Sequence, residues 1–277
     1  NGTGKFVFKN YLNENQLVYE KQFGRKHGKQ VKYHSNGKIK ESREYSNGDL
    51  HGELKSYNYE GALTSSGLYK FDAKDGIHIW FDDEGKQECS ETYSDGVLNG
   101  KVNWYYPNGK SYIEKYYVND EQDSTSTTYG EDGSIAVRFF YKKGILLGYT
   151  YNDKSGQLLP MIPLKNETGD IVAYYANGKK SFQASYVNGQ INGKKLVFYT
   201  SGLPYFEIEF YYNEYNGMFK EYHPNGKLKM ELTYVNGDKN GVCKIYYDNG
   251  SLKKETFYLN NLKHGTEFVY DNSGKRL

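Results

Sequence analysis

Glycine keeps a clock in this chain, and the clock limits what the chain can fold into more than any other feature. Gly4, Gly28, Gly52, Gly76 and Gly100 fall 24 residues apart; Ser124 takes the next place and Gly148 follows. After a 21-residue step the series resumes at Gly169, Gly193, Gly217, Gly241 and Gly265. A second glycine stands nine places after nearly every start, as at Gly37, Gly109 and Gly226. Such a period marks a repeat architecture, in which one supersecondary unit is copied and each copy buries its face against its neighbours.

Aromatic residues obey the same period. Tyr33, Tyr57, Phe81, Tyr105, Tyr174 and Tyr222 stand five places after a start, and Tyr45, Tyr69, Tyr93, Tyr117 and Tyr234 stand seventeen after it. Between the glycines lie segments of six or seven residues rich in Tyr, Phe, Val and Ile, separated by S-N-G, P-N-G, D-N-G or V-N-G, which read as strands and tight turns. With Ser35-Asn36-Gly37 as a three-residue loop and Gly37 left-handed, Tyr33 faces Ile39; likewise Tyr222 meets Leu228 and Tyr246 meets Leu252. Strict alternation then gives Val31, Tyr33, Ile39 and Tyr45 one face and Lys32, Lys40, Ser42 and Glu44 the other. The expected fold is all-β: an elongated, twisted, single-layer antiparallel sheet of tandem β-hairpins, about eleven units of 24 residues. Some 23 strands at ~4.8 Å spacing would extend such a sheet to roughly 110 Å, and sheets that wide twist and coil.

Where the clock falters, the chain divides. The interval 149–168 lacks both regular aromatics and carries Pro160 and Pro163, residues that central strands exclude. It reads as an irregular unit, a kink or hinge, between an array over 1–148 and a second over 169–277. Charge offers no footprint for nucleic acid or an anionic membrane, since 36 basic and 34 acidic residues are interspersed for a net +2. Cys89 and Cys243 form no disulfide framework or zinc spacing. The chain begins at Asn1 without Met, which reads as a processed or trimmed product. An exported or cell-envelope location with the targeting segment outside this chain is the expectation, with the cytoplasm as the alternative.

No catalytic motif emerges. His27, His51 and His264 precede start glycines and so belong to the repeat; His34 and His223 follow the first aromatic. Neither a P-loop nor a G-x-S-x-G nor a dinucleotide fingerprint occurs, and the acidic loops near 72–76, 81–85 and 119–124 lack the calcium-loop order. The chain reads as a non-enzyme, with neither cofactor nor metal. Asn166-Glu167-Thr168 fits the glycan acceptor pattern. An anomaly remains at even places that alternation assigns to the polar face. Trp80 and Trp104 stand there in successive units, with Tyr106, Tyr116 and Phe140 nearby in register, and together they are the candidate partner-binding residues.

The segments "GKVNWYYPNGKSYIEKYYVND", "GMFKEYHPNGKLKMELTYVNGDKNG" and "GVCKIYYDNGSLKKETFYLNN" resemble MORN-type repeats of the bacterial variant, whose chains are often labelled antitoxins. The resemblance covers nearly the whole chain; Ser124 and the proline-bearing unit depart from it. It implies hairpin arrays that serve as protein-binding scaffolds, with phospholipid binding ascribed to some eukaryotic members. The functional expectation is a scaffold that engages another protein through its β surface, with aromatic anchors and a charged rim. The alternative is a carbohydrate or cell-wall binding array, against which the scarcity of tryptophan argues.

Overall fold

The computed structural model describes residues 2–10 and 14–277; Asn1, where the chain begins, and 11–13 lie outside the described residues. As expected, the fold is all-β, built from two open antiparallel sheets of hairpin strands. A 15-stranded sheet runs from Gly4–Lys9 to Ile162–Pro163 and an 11-stranded one from Gly169–Tyr174 to Phe268–Val269, each in nearly strict sequence order. A short 3-10 turn, Lys165–Glu167, lies between them in sequence. The chain forms two compact units, Asn1–Ser124 and Thr125–Leu277, so the boundary falls inside the strand Glu121–Tyr129.

Two kinds of hairpin alternate. At the first kind, Gly37 N–H donates to the His34 carbonyl at 3.0 Å and His34 N–H to the Lys38 carbonyl at 2.8 Å. These bonds close the three-residue loop Ser35-Asn36-Gly37, with Gly37 left-handed at φ 80°. The pairs Tyr33 with Ile39, Tyr222 with Leu228 and Tyr246 with Leu252 follow. At the second kind, Ser46 pairs with Asp49 around Asn47 (φ 54°) and Gly48 (φ 108°), the two left-handed residues that a twist-matched two-residue turn demands.

Strict alternation fails one step inside the first hairpin. Tyr33 pairs with Ile39, but Lys32 pairs with Glu41, so the return strand carries one extra residue. The same shift recurs in every unit that pairs this way, for example between Trp104 and Tyr105 and between Glu221 and Tyr222. A one-residue bulge moves everything beyond it to the opposite face. The two tyrosine rows therefore do not share a face. Tyr45 pairs with Gly28, on the side of Gln30 and Lys32, whereas Tyr33 points to the other side. On that other side the first-row tyrosines reach back one unit to a glutamate: Tyr222 Oη donates to Glu207 at 3.3 Å, Tyr246 Oη to Glu231 at 2.7 Å and Tyr270 Oη to Glu255 at 3.4 Å.

Both hairpin edges are stitched unit to unit. At the three-residue loops an Asn side chain accepts from the backbone two residues on, as Asn225 Oδ1 does from Lys227 N–H at 2.9 Å. Its amide donates to the next loop, to the Asp248 carbonyl at 2.8 Å, and Lys227 Nζ reaches the Asn249 carbonyl at 2.8 Å. Asn36 with Lys38 and Asn177 with Lys179 do the same. The N-G-K triplet is thus a turn and a strap at once. The residue before the three-residue loop adds a further bond: Tyr199 Oη donates to the Tyr222 carbonyl at 2.7 Å, and His34 and His223 place Nε2 at 3.0 and 3.1 Å from the equivalent carbonyls of Tyr57 and Tyr246.

In unit Thr125–Leu277 the densest core lies where strand Ile135–Lys142 meets strand Lys180–Val187 of the other sheet. The Phe139 ring meets Phe182 edge-on at 5.5 Å and Tyr186 at 5.7 Å, and Ser181 Oγ donates to the Ala136 carbonyl at 2.5 Å. Val137, Ile171, Ala173 and Val197 are fully buried around them. Removing the valine and isoleucine side chains among them from water contributes roughly 1.5–3 kcal/mol each. The interval 149–168 is bonded back onto this unit: Tyr149 pairs with Ile162, and Thr150 Oγ1 donates to the Leu159 carbonyl at 2.6 Å. Gly148 permits this approach, because a Cβ there would stand 2.4 Å from the Ile162 carbonyl oxygen.

Candidate functional site

Trp80 lies on strand Ala73–Phe81 and Trp104 on strand Val97–Tyr105, and both pair directly with Cys89 on the strand between them. Directly paired residues share a face. The two indoles therefore sit in one cross-strand row, two strand spacings or ~9.6 Å apart, with Cys89 between. Both are half-buried. A second row runs beside it through His78, Glu91, Val102 and Lys115, each paired with the next. Tyr93 and Tyr117 belong to the same face, two residues along from Glu91 and Lys115. The bulge is why: it brings the tryptophans onto the aromatic face rather than the polar one that alternation assigned to them.

The other candidates divide. Tyr106, two residues after Trp104, is buried at the hairpin end against Tyr112, ring centroids 5.0 Å apart. Tyr116 pairs with Lys101 and donates its hydroxyl to Glu114 at 3.1 Å, which puts it on the face opposite Trp104. Phe140 lies in the other compact unit, half-buried and adjacent to the core residue Phe139. The structure thus brings Trp80 and Trp104 together and leaves Tyr116 and Phe140 out of their row.

Around Trp80 the face holds a hollow of about 190 Å³, lined among others by Ser65, Gly67, Tyr69, Lys74, His78 and Trp80. Gly67 makes room for it. It is off the glycine clock and in no turn, and a Cβ on it would stand 2.1 Å from His78 Nδ1. The imidazole fills that notch. His78 is 4% exposed, its Nε2 lies 2.8 Å from the Leu68 carbonyl, and its ring meets Tyr69 and Tyr93 edge-on at 5.2 Å. A carbonyl only accepts, so Nε2 carries the proton and Nδ1 keeps its lone pair. Burial lowers the His78 pKa below its ordinary 6.5, which keeps the ring neutral. Burial pushes the Cys89 thiol up to about 12, with Glu91 and Glu88 adding to it, so this sulfur is a small packing group.

Each indole carries an ammonium above it. Lys74 Nζ lies 5.5 Å from the Trp80 ring centroid and 4.4 Å from that of Tyr93, and it donates to Tyr93 Oη at 3.2 Å. Lys115 Nζ lies 5.4 Å from the Trp104 centroid, and burial lowers its pKa. Sequence reasoning passed over Lys74, His78 and Lys115, whose places in the repeat look ordinary. Gly67, a glycine off the period, was the signal that could have found this hollow.

A family model for the MORN repeat variant matches residues 26–47, 215–236 and 239–260, the hairpins whose N-G tips and bulged returns are described above. The chain carries MORN-type repeats. A family model described as an uncharacterised protein also matches this MORN-type chain over residues 77–200. No curated protein matches it. Among solved structures it is similar to "Crystal Structure of TcdB2-TccC3-TEV", with 13% identity over 96% of this chain and 19% of that one, at a TM-score of 0.20. It is also similar to "Structure of Photorhabdus luminescens Tc holotoxin pore, Mutation TccC3-D651A", with 13% identity over 98% and 19% and the same TM-score of 0.20. The MORN-type chain spans about a fifth of those proteins' length, and superpositions this loose carry no argument about it.

Proposed function

We propose that this MORN-type array is a non-enzymatic scaffold that holds another protein against the face bearing Trp80 and Trp104. The observation that carries this reading is the cross-strand row itself: two half-buried indoles flank Cys89 on one face. Tryptophan is the side chain most enriched among residues that dominate binding energy, and a pair on rigid strands loses little entropy when covered. The polar groups nearby are engaged in structure rather than poised for chemistry, with His78 bonded to a backbone carbonyl and the Cys89 thiol strongly raised. A second reading, carbohydrate or cell-wall binding, draws on the hollow beside Trp80, where a sugar ring would meet the indole edge and the Ser65 side chain.

The test is affinity capture with the full chain and with a Trp80→Ala/Trp104→Ala variant. The scaffold reading expects one stoichiometric protein partner, lost from the variant. Retention on insoluble wall polymer with no protein recovered favours the second reading. Turnover that survives repurification and vanishes with one polar substitution would overturn both.

A further inference from the structure

Around the two tryptophans the faces of the sheet handle their lysines differently, although farther along the tryptophan face Lys32 meets Glu41 at 3.2 Å. On the face opposite the tryptophans Lys55 meets Glu53 at 2.7 Å and Lys101 is ion-paired with Glu114. On the tryptophan face Lys74 and Lys115 rest over aromatic rings, and among the described residues neither is ion-paired with a carboxylate. Glu91, the carboxylate in the row of Lys115, already accepts the Tyr93 hydroxyl at 2.5 Å. A ring quadrupole compensates a half-desolvated ammonium only in part, and a carboxylate brought to it gains more than one brought to a fully hydrated lysine. Lys74 lies on the strand of Trp80, four residues before His78, and Lys115 lies one strand beyond Trp104, so the two are three strand spacings apart across the sheet and about four residues apart along it, roughly 20 Å on the diagonal. That span equals about six residues of extended chain.

We propose that the tryptophan face takes an acidic, extended segment of the partner protein, whose carboxylates pair with Lys74 and Lys115 while apolar side chains between them cover Trp80 and Trp104. This rests on the scaffold reading and adds the partner's chemistry to it. The alternating geometry suits a strand: residues two apart point the same way, so acidic residues at the two ends of a seven-residue stretch, about 20 Å apart, face the two ammonium groups while the same-facing apolar residues between them cover the indoles.

The experiment titrates the full chain with strand-length peptides of constant Leu and Phe content whose net charge runs from acidic through neutral to basic. Binding is read by calorimetry at low and at high salt. The expected result is tightest binding of the acidic peptides, weakened by salt, with Lys74→Gln and Lys115→Gln each costing about tenfold. Lys74→Arg and Lys115→Arg should retain binding, and Lys55→Gln on the opposite face should leave it unchanged. Equal binding across the charge series, or Gln variants that are folded by circular dichroism and bind as the parent does, would overturn the proposal. Preference for polygalacturonate over every peptide would overturn it too, by making the anion a sugar acid. A natural partner lost with Trp80→Ala/Trp104→Ala but indifferent to salt and to both lysine variants would leave the scaffold reading standing and remove this one.

Discussion

At the scale of single residues, glycine plays two roles that sequence alone blends together. Gly37 and Gly226 sit in left-handed turns, where a side chain strains the backbone. Gly67 and Gly148 have ordinary backbones and exist for contact: the first accommodates the His78 ring, the second the Ile162 carbonyl. Gly67→Ala should therefore cost about 1–3 kcal/mol, because His78 is held by its bond to Leu68 and has nowhere to turn. Urea denaturation of the full chain measures it. His78 also sets a pH dependence. Its folded-state pKa lies below 6.5, so the unfolded chain binds the proton more readily and stability falls as pH drops from about 6.5 toward the lowered value. Between those limits His78→Asn should flatten the stability profile relative to the parent chain. A slope identical in both would show that the ring protonates freely in the folded state.

At the scale of the hairpin, loop type was legible and face was not. The S-N-G and P-N-G tripeptides state a three-residue loop, and the pairs Tyr33–Ile39 and Tyr222–Leu228 follow from it. The bulge just inside that loop has no residue of its own to announce it: Lys40 occupies it in one unit and Tyr112 in another. One unmarked residue exchanged the faces, and that is why Trp80 and Trp104 looked like anomalies on a polar surface. The repeated lysine of N-G-K, by contrast, has a reason the structure supplies, since its ammonium bonds the next loop's carbonyl. Asn225→Ala removes a bond within its own loop and another to the following one, and should destabilise by about 1–2 kcal/mol. Amide exchange at residues 223–227 and 247–251 should speed up together. Acceleration confined to 223–227 would mean that the strap between loops carries no weight.

At the scale of the whole chain, periodicity predicts neighbours in a sheet but says nothing of which sheet lies on which. The packing of Phe139 against Phe182 joins places in the repeat that hold Arg43 and Glu41-type charged residues elsewhere, so only the local change to apolar residues hinted at it. Phe182→Ala, at a position 1% exposed, should cost about 3–5 kcal/mol. In unit Asn1–Ser124, Val102→Ala should instead cost about 2 kcal/mol and raise amide exchange in the flanking strands Gln87–Ser94 and Ser111–Val118, while Gly28–Tyr33 keeps its protection, as nearest-neighbour coupling requires. The proposed binding face can be watched directly, because the chain's 2 tryptophans are the two in the row. Acrylamide quenching of tryptophan emission, with and without the captured partner at saturation, is the decisive measurement. The account predicts that both indoles become shielded, as read from the Trp80→Phe and Trp104→Phe variants one at a time. Quenching that is the same for the free and the partner-bound chain would contradict it.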